Sequence, residues 1–547
     1  MTSESLDYED LFRYTSGRWL MNEAEELSQR YRQLSVDGLK MAAVAAVSGG
    51  QYCSSITKIG EGEYNRALLI TVATDSGSTD LVAKIPYPRA GPAKILTASE
   101  VATLEFCRDV LQLPVPKVLG WSANAEENAV GAEYILMERA EGVPIADRWE
   151  ELGLGGQLIF SRNLLRVQNR MLVTTFGANG SLYYQQDVPK DDQYHGPLIS
   201  SDSEQALSVS NANLQRWCIG PSTDRDFYSR GKASLKIDRG PWPDALSFTE
   251  AIVDRQIRWF EECPPAVRPL YHPFRRLDCQ EDPEAHISLL RRFRLMLKHL
   301  VPSDATLAVP VMSHQDLHPR NIFVQETGLP NITCILDWQD VALKPLFMQA
   351  DIPKLLAYAG ASLLVGTMKM PPQETLDQLS ENEIAVVKWE IESQNHHFFY
   401  QKNLNKVAPV YYRALDMPGH RIRTDSIHIA ANTYSTEIFP DIYRLRERMR
   451  LIIENWSAMG MSEACPVSFS PEELRQHEED KSGYDASHAQ FDTFEELLGM
   501  RSDGRVDASH YEQSIAASKQ LRDRYEREVA GLEVTKEEVE QYWPLTQ

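Results

Sequence analysis

Between Met312 and Trp338 the chain reads "MSHQDLHPRNIFVQETGLPNITCILDW", which places His314, Asp316 and Asn321 in the pattern H-x-D-x-x-x-x-N. "NIFVQ", an "ETGLPN" turn and "ITCILDW" then read as a hairpin whose second strand delivers Asp337 at its end. Phosphoryl transfer needs this set of groups. A carboxylate must orient an attacking hydroxyl and accept its proton, while an amide oxygen and a second carboxylate hold Mg2+ on nucleotide phosphates. Mg2+ is a hard cation that prefers oxygen ligands, so Asn and Asp suit it. The order of loop, hairpin and Asp brings three oxygen donors around one point. The rival reading is a polar turn with an Asp closing a strand. His318 follows Asp316 closely and either lines the site or serves the local structure. Asp340 is a further acidic candidate, against a loop-surface carboxylate. Asp351 reads as a helix cap.

Such a site also needs a cation for the phosphates. "DLVAKIP" carries Lys84 in strand alternation, in the manner of the kinase V-A-I-K, where the ammonium bridges the α- and β-phosphates. Glu100 lies on the helix that follows and is its candidate ion-pair partner. A capping box from Thr97 to Glu100 is the competing local explanation. "KIGEGEYNRALLI" holds Gly60 and Gly62, a fragment of a glycine-rich phosphate turn with Asn65 where a third glycine would stand. A plain hairpin turn explains that fragment nearly as well. "LMERAEG" reads as the linker between the two halves, where adenine would meet the backbone.

The elements that position these residues follow from periodicity. "YCSSITKIG", "YNRALLITVAT" and "TDLVAKIPY" read as strands, "TASEVATLEFCRDVL" as a helix capped by Thr97, and "VLGWSA" and "AEYILMERA" as two more strands. From about residue 141 the chain is largely helical, clearest in "SFTEAIVDRQIRWFEEC", "EAHISLLRRFRLMLKHLV", "SENEIAVVKWEIESQNHHFFYQ" and "PDIYRLRERMRLIIENW". "GANGSLYYQQDV" reads as a hairpin or loop. "IGPSTDRDFYSRGKASLKIDRGPW" is a long polar Gly/Pro-rich loop, and loops of that length are often functional. His396 and His397 lie in a helix and read as packing or surface residues. Arg444, Arg446, Arg448 and Arg450, at spacing two, suit a solvated helix, as does the charged "YEQSIAASKQLRDRYEREVAG" near the C-terminus. Four segments result: a helical N-terminal extension over 1–50, a strand-rich nucleotide-binding half over 51–141, a helical half over 142–457 with catalytic loop, metal site and acceptor pocket, and a helical tail over 458–547. The expected fold class is α+β: a small antiparallel-sheet lobe with one helix, and a large, mainly helical lobe with helical extensions.

Composition narrows the function class. The 547 residues carry a formal net charge of -22, which disfavours nonspecific binding to nucleic acid or to an anionic membrane surface. The seven cysteines show no metal-ligand spacing and read as reduced thiols. The acidic N-terminal stretch lacks the apolar core of a secretory signal and the Arg-rich character of a mitochondrial presequence, so a cytoplasmic location is expected.

"SHQDLHPRN" with "ILDW" resembles the catalytic loop and metal motif of the aminoglycoside phosphotransferase-like superfamily, which shares the protein-kinase fold, over roughly residues 59–356. "YTSGRWL", "GEYNRALL", "AKIP", "ASEVATLEFCR", "PVPKVLGWSA", "GAEYILME" and "GPW" resemble a fungal branch often labelled altered inheritance of mitochondria protein nine-like. The resemblance implies a bilobal protein-kinase-like fold and ATP- and Mg2+-dependent transfer to a small-molecule hydroxyl. By motif it makes Asp316 the catalytic base, Asn321 and Asp337 the metal ligands, and Lys84 and Glu100 the phosphate-binding pair. Arg320 departs from the pattern, standing where many relatives have glycine and adding charge to the pocket. Specificity would come from the helical half, including residues 182–242. A protein kinase is the second reading, opposed by "DWQ" in place of D-F-G and by the lack of A-P-E. A non-catalytic binding module and ATP-dependent activation or dehydration of a metabolite complete the alternatives.

Overall fold

The computed structural model describes residues 8–207, 211–263, 283–358, 360, 366–432, 442–528, 543 and 545. The expected single helical lead-in is two helices, α1 (Glu23–Arg30) and α2 (Val36–Ala46). Ser35 starts the second by accepting a hydrogen bond from the Gly38 amide. Five antiparallel strands follow: β1 (Gly50–Glu61), β2 (Asn65–Thr74), β3 (Gly77–Pro86), β4 (Val118–Ser122) and β5 (Tyr134–Glu138), in the spatial order β1-β2-β3-β5-β4. Strict alternation along β3 buries Leu81, Ala83 and Ile85 on one face and turns Lys84 to the other. The buried face packs on Leu39 and Ala43 of α2. The small lobe therefore has a helix on each face of its sheet rather than the one expected, because its first apolar face would otherwise meet water.

The second helix, α3 (Ile95–Asp109), begins two residues before the expected cap. Lys94, at φ 69°, is the turning residue, and its amide is satisfied by Glu133. The Thr97 hydroxyl also donates to Glu133, at 2.6 Å, so Thr97 is a buried helix residue and not the N-cap. α3 is held against the large lobe by the Trp217 indole, which donates to the Ala102 carbonyl at 3.1 Å, and by the edge-on Phe106–Trp217 pair.

The large lobe contains α4 (Gly153–Leu172), α5 (Ala245–Glu262), α6 (Pro283–Arg294), α7 (Glu381–Val407), α8 (His420–Ala431) and α9 (Ile442–Glu454). It also contains a sheet that the sequence pattern did not signal. Strands β6 (Gly180–Tyr184), β7 (Trp217–Gly220), β8 (Pro310–Met312) and β11 (Ala342–Pro345) run in the order β8-β11-β6-β7. All five residues of β6 are buried, so it shows no alternation to read. Between β8 and β11 lies the predicted hairpin of β9 (Ile322–Val324) and β10 (Ile332–Ile335). The helix expected over 284–301 breaks after Arg294 into a short second turn, Leu297–Leu300. α7 runs six residues past its expected end and starts with a full Ser380–Glu383 capping box. Asp351 heads no helix; its carboxylate accepts from the next amide, Ile352, and its carbonyl from Tyr411. His396 and His397 are buried packing residues, as expected. α9 is not simply solvated: Leu445, Met449 and Ile452 are buried, and Arg446 pairs with Asp480 at 2.8 Å.

At the C-terminus, α10 (Pro471–Leu498) and α11 (Tyr511–Glu528) return to the small lobe. Arg18–Trp19 pair antiparallel with Arg505–Val506. Leu20, Phe494, Leu498, Val506, Tyr511 and Tyr525 form a common apolar cluster, so α11 is a docked helix with one buried face. The described residues form a bilobal α+β molecule, with a small antiparallel-sheet lobe and a large, mainly helical one.

Candidate active site

Two histidine contacts shape the loop that carries Asp316. The buried His314 ring donates from Nε2 to the Leu336 carbonyl at 2.9 Å and accepts at Nδ1 from the Asp316 amide at 3.1 Å. Its edge meets the fully buried Trp338 ring at 4.8 Å. Burial holds the imidazole pKa below its ordinary value, so the ring is neutral, as this pair of contacts demands. His314 thus fixes the Asp316 backbone against the residue that precedes Asp337. Asn321 completes the loop: its side-chain NH2 donates to the Asp316 carboxylate at 3.0 Å and to the Asp316 main-chain oxygen at 3.1 Å. Asp316 itself is exposed to the cleft.

Asp337 follows β10 at φ 65°, a left-handed conformation that Asp tolerates better than most side chains. Its carboxylate reaches across the lobes to Lys84, with Oδ1 2.7 Å from Nζ. Lys84 pairs at the same time with Glu100 of α3 at 2.6 Å. The Lys84 side chain is 12% exposed and that of Asp337 40%, so one face of the triad opens to the cleft. Burial opposes the Lys84 charge, but the two carboxylates outweigh it and raise its pKa above the ordinary value. Burial likewise opposes the charge on Asp337, and Lys84 reverses this, leaving its pKa lowered. Glu100 goes the other way: burial and the Asp337 charge together outweigh Lys84 and raise its pKa.

Gly60 and Gly62 sit at the β1–β2 turn, where the Gly62 amide bonds to the Asn65 carbonyl at 2.8 Å. Neither has positive φ, and a Cβ at either would meet nothing closer than 3.6 Å. Local geometry does not demand glycine at either position. Asn65 does not face the cleft alone: its side-chain amide donates to Gln339, two residues past Asp337. The turn and the metal-motif segment are thereby tied together.

The remaining candidates separate. His318 and Arg320 are exposed, with Arg320 3.9 Å from Asp147. Asp340 is not the surface carboxylate expected of a loop. It pairs with Arg225 at 3.1 Å, and the Arg225 guanidinium lies 3.6 Å over the Tyr64 ring of the β1–β2 turn. Burial and the nearby Asp224 push the Asp340 carboxyl up to about 7. Asp224, at 3.1 Å from Lys344 of β11, is driven the opposite way, because Lys344 and Arg255 outweigh its burial. These groups border a cavity of 530 Å³ enclosed by Tyr64, Arg89, Asp224, Arg225, Lys232 and Asp340. Arg225, Asp224 and Lys232 come from the long loop marked as functional. Its dense mixed charge, "TDRDFYSRGK", was the available signal.

The donor set bears on Mg2+ and ATP. Asp337 uses one oxygen on Lys84 and keeps its side chain partly open. Asn321 turns its NH2 toward Asp316, which leaves its carbonyl oxygen off that contact. An amide and a carboxylate oxygen suit Mg2+, which takes one or two protein carboxylates and completes its shell with phosphates and water. Among the described residues no three His, Cys, Asp or Glu side chains converge to form a metal cage. The fixed Lys84 cation matches a polyphosphate. The residues fit both groups.

No family model matches the chain. It is 26% identical over 502 residues to a subtelomeric hrmA-associated cluster protein of Aspergillus fumigatus, covering 86% of this chain and 93% of that protein. It is 25% identical over 499 residues to altered inheritance of mitochondria protein 9, mitochondrial, of Yarrowia lipolytica, covering 86% and 80%. That relative's name carries a mitochondrial label, unlike the cytoplasmic expectation from the present N-terminus. Among solved structures, an ethanolamine kinase of Plasmodium vivax aligns with a TM-score of 0.30 and 10% identity over 73% of this chain and 81% of that one. A choline kinase of Cryptosporidium parvum aligns at 0.27 and 11%, over 74% and 90%. No helix among the described residues is long and apolar enough to cross a membrane.

Proposed function

We propose that the chain is an ATP-dependent phosphotransferase that moves the γ-phosphoryl group to a hydroxyl of a small molecule. One observation carries this reading: Lys84 Nζ lies 2.6 Å from Glu100 and 2.7 Å from Asp337, linking the small-lobe sheet, its helix and the strand end beyond the catalytic loop. A Lys held charged at that junction is placed for nucleotide phosphates. Gly60 and Gly62 would let the β1–β2 turn approach those phosphates closely. Asn321 and Asp337 would hold Mg2+, which when bound offsets phosphate charge.

Asp316 would orient the acceptor hydroxyl and take its proton. The hydroxyl oxygen bonds to the γ-phosphorus as the bond to the β–γ bridging oxygen breaks, ADP leaves, and the proton ends on the Asp316 carboxylate. Asn321, bonded to that carboxylate at 3.0 Å, keeps it directed into the cleft. His314 fixes the loop so that neither group must be ordered during the reaction.

Two variants separate the roles. Asp316→Ala should lower turnover by about 10²–10⁴-fold, the range for loss of a general base, with ATP affinity within a few-fold of wild type. Asp337→Ala should weaken ATP binding in the presence of Mg2+ and have much less effect with EDTA. Near-wild-type turnover by Asp316→Ala would contradict the base assignment, and unchanged metal-dependent affinity in Asp337→Ala would contradict the ligand assignment.

A further inference from the structure

Resting on the phosphotransferase reading, we infer that the 530 Å³ cavity beside the β1–β2 turn is the acceptor pocket and that the acceptor is an anion, carrying a carboxylate or phosphate ester besides its hydroxyl. The cavity shares Tyr64 with the phosphate turn, and its Asp340 stands three residues beyond Asp337. Through Tyr64 and Asp340 its lining borders the turn and the segment assigned to the transferred group.

Its charges decide the class of ligand. Asp224 is matched by Lys344 at 3.1 Å, Asp340 by Arg225 at 3.1 Å, and Asp226 by Arg255 at 3.9 Å. Lys232 is left over. Its side chain lines the cavity, the residue is only 5% exposed, and among the described residues its ammonium has no hydrogen bond or ion pair. It lies 4.6 Å from the Trp259 ring, which gives it a face to rest on, and it feels the Asp226 and Asp224 carboxylates only from beyond ion-pair distance. In the same wall, Nη1 of Arg225 and Oδ1 of Asp340 are buried without hydrogen-bond partners. A nearly buried cation without an ion-paired anion is costly to keep in a fold. An incoming oxyanion would supply the missing charge, and Asp340 stands beside it as a hydrogen-bonding group for the hydroxyl. A quaternary or primary ammonium acceptor would instead be placed against Lys232 and Arg225 at close range.

Burial and the neighbouring Arg255 depress Lys232 to about 7, outweighing Asp226 and Asp224. A bound anion would reverse that.

The test is calorimetric titration of the full chain with four probes of similar size: D-glycerate, glycerol 3-phosphate, glycerol and choline. D-Glycerate and glycerol 3-phosphate distinguish a carboxylate pocket from a phosphate pocket. We expect one of these two to bind, and Lys232→Met, which keeps the aliphatic stem on Trp259, to weaken it at least tenfold while ATP affinity stays unchanged. Preference for glycerol or choline, binding of none of the four, or anion binding that survives Lys232→Met overturns the inference. Asp316→Ala keeps the two claims separate, since it should bind the anion normally and not turn it over. Normal turnover in that variant would sink the catalytic reading while leaving the anion pocket standing.

Discussion

At the residue scale the proposed chemistry is legible because phosphoryl transfer asks for particular residue types at particular spacings. Asp316, Asn321 and Asp337 fall within 22 residues, and Lys84 was marked by its place in a strand. Lys232, Arg225 and Lys344 were not readable as a site. Arg225 and Lys344 have partners far along the chain, Asp340 and Asp224, and only folding brings these groups together with Lys232. The same holds for Glu61, whose side chain receives Lys58, the Thr15 amide at 2.8 Å and the Ser16 amide at 2.9 Å. Burial opposes its charge, but these donors outweigh it and hold its carboxyl below the ordinary 4.5. The sign follows from linkage: a carboxyl with a depressed folded pKa adds stability above its unfolded value and loses it as pH falls through the folded value. Glu61→Gln should cost about 1–3 kcal/mol at pH 7, as expected for charged hydrogen bonds. Urea denaturation should show that difference shrinking steadily below about pH 4.5. A difference that stays constant down to pH 2.5 would rule out this account.

Elements with strong periodicity were legible, and those positioned by tertiary contacts were not. β3 announced itself by alternation, whereas β6 is buried on both faces and its stretch read only as a hairpin or loop. α3 starts early because Glu133, on a different segment, satisfies its first amide. Gly142 shows an element depending on one backbone site. It lies in the inter-lobe linker at φ 87°, and a Cβ there would stand 2.1 Å from the Val324 carbonyl. Just after it, Val143–Pro144 pair with β9, the strand that leaves Asn321. Gly142→Val should therefore cost about 2–4 kcal/mol through backbone strain and overpacking. It should also lower turnover, because β9 must move. A variant with wild-type melting temperature and turnover would show that this contact does not position the loop.

At the scale of the whole molecule, the two ends of the sequence close on each other, and nothing in local pattern revealed it. Trp19 is fully buried, its indole donates to Asp503 at 3.3 Å, and its strand pairs with Arg505–Val506. Trp19→Ala should cost about 3–5 kcal/mol by cavity formation. Combined with Val506→Ala, the loss should fall short of the sum of the two, since both act on one contact. Strict additivity in chemical denaturation would mean that the ends are not coupled. The central claim is that this molecule transfers a phosphoryl group to a small hydroxyl compound using Asp316. Its most direct test is untargeted mass spectrometry of a host metabolite extract incubated with ATP, Mg2+ and either the wild-type chain or Asp316→Ala. The account predicts a feature that gains one phosphoryl mass with wild type only. A wild-type-dependent product lacking that mass, or no difference between the two reactions, would contradict it.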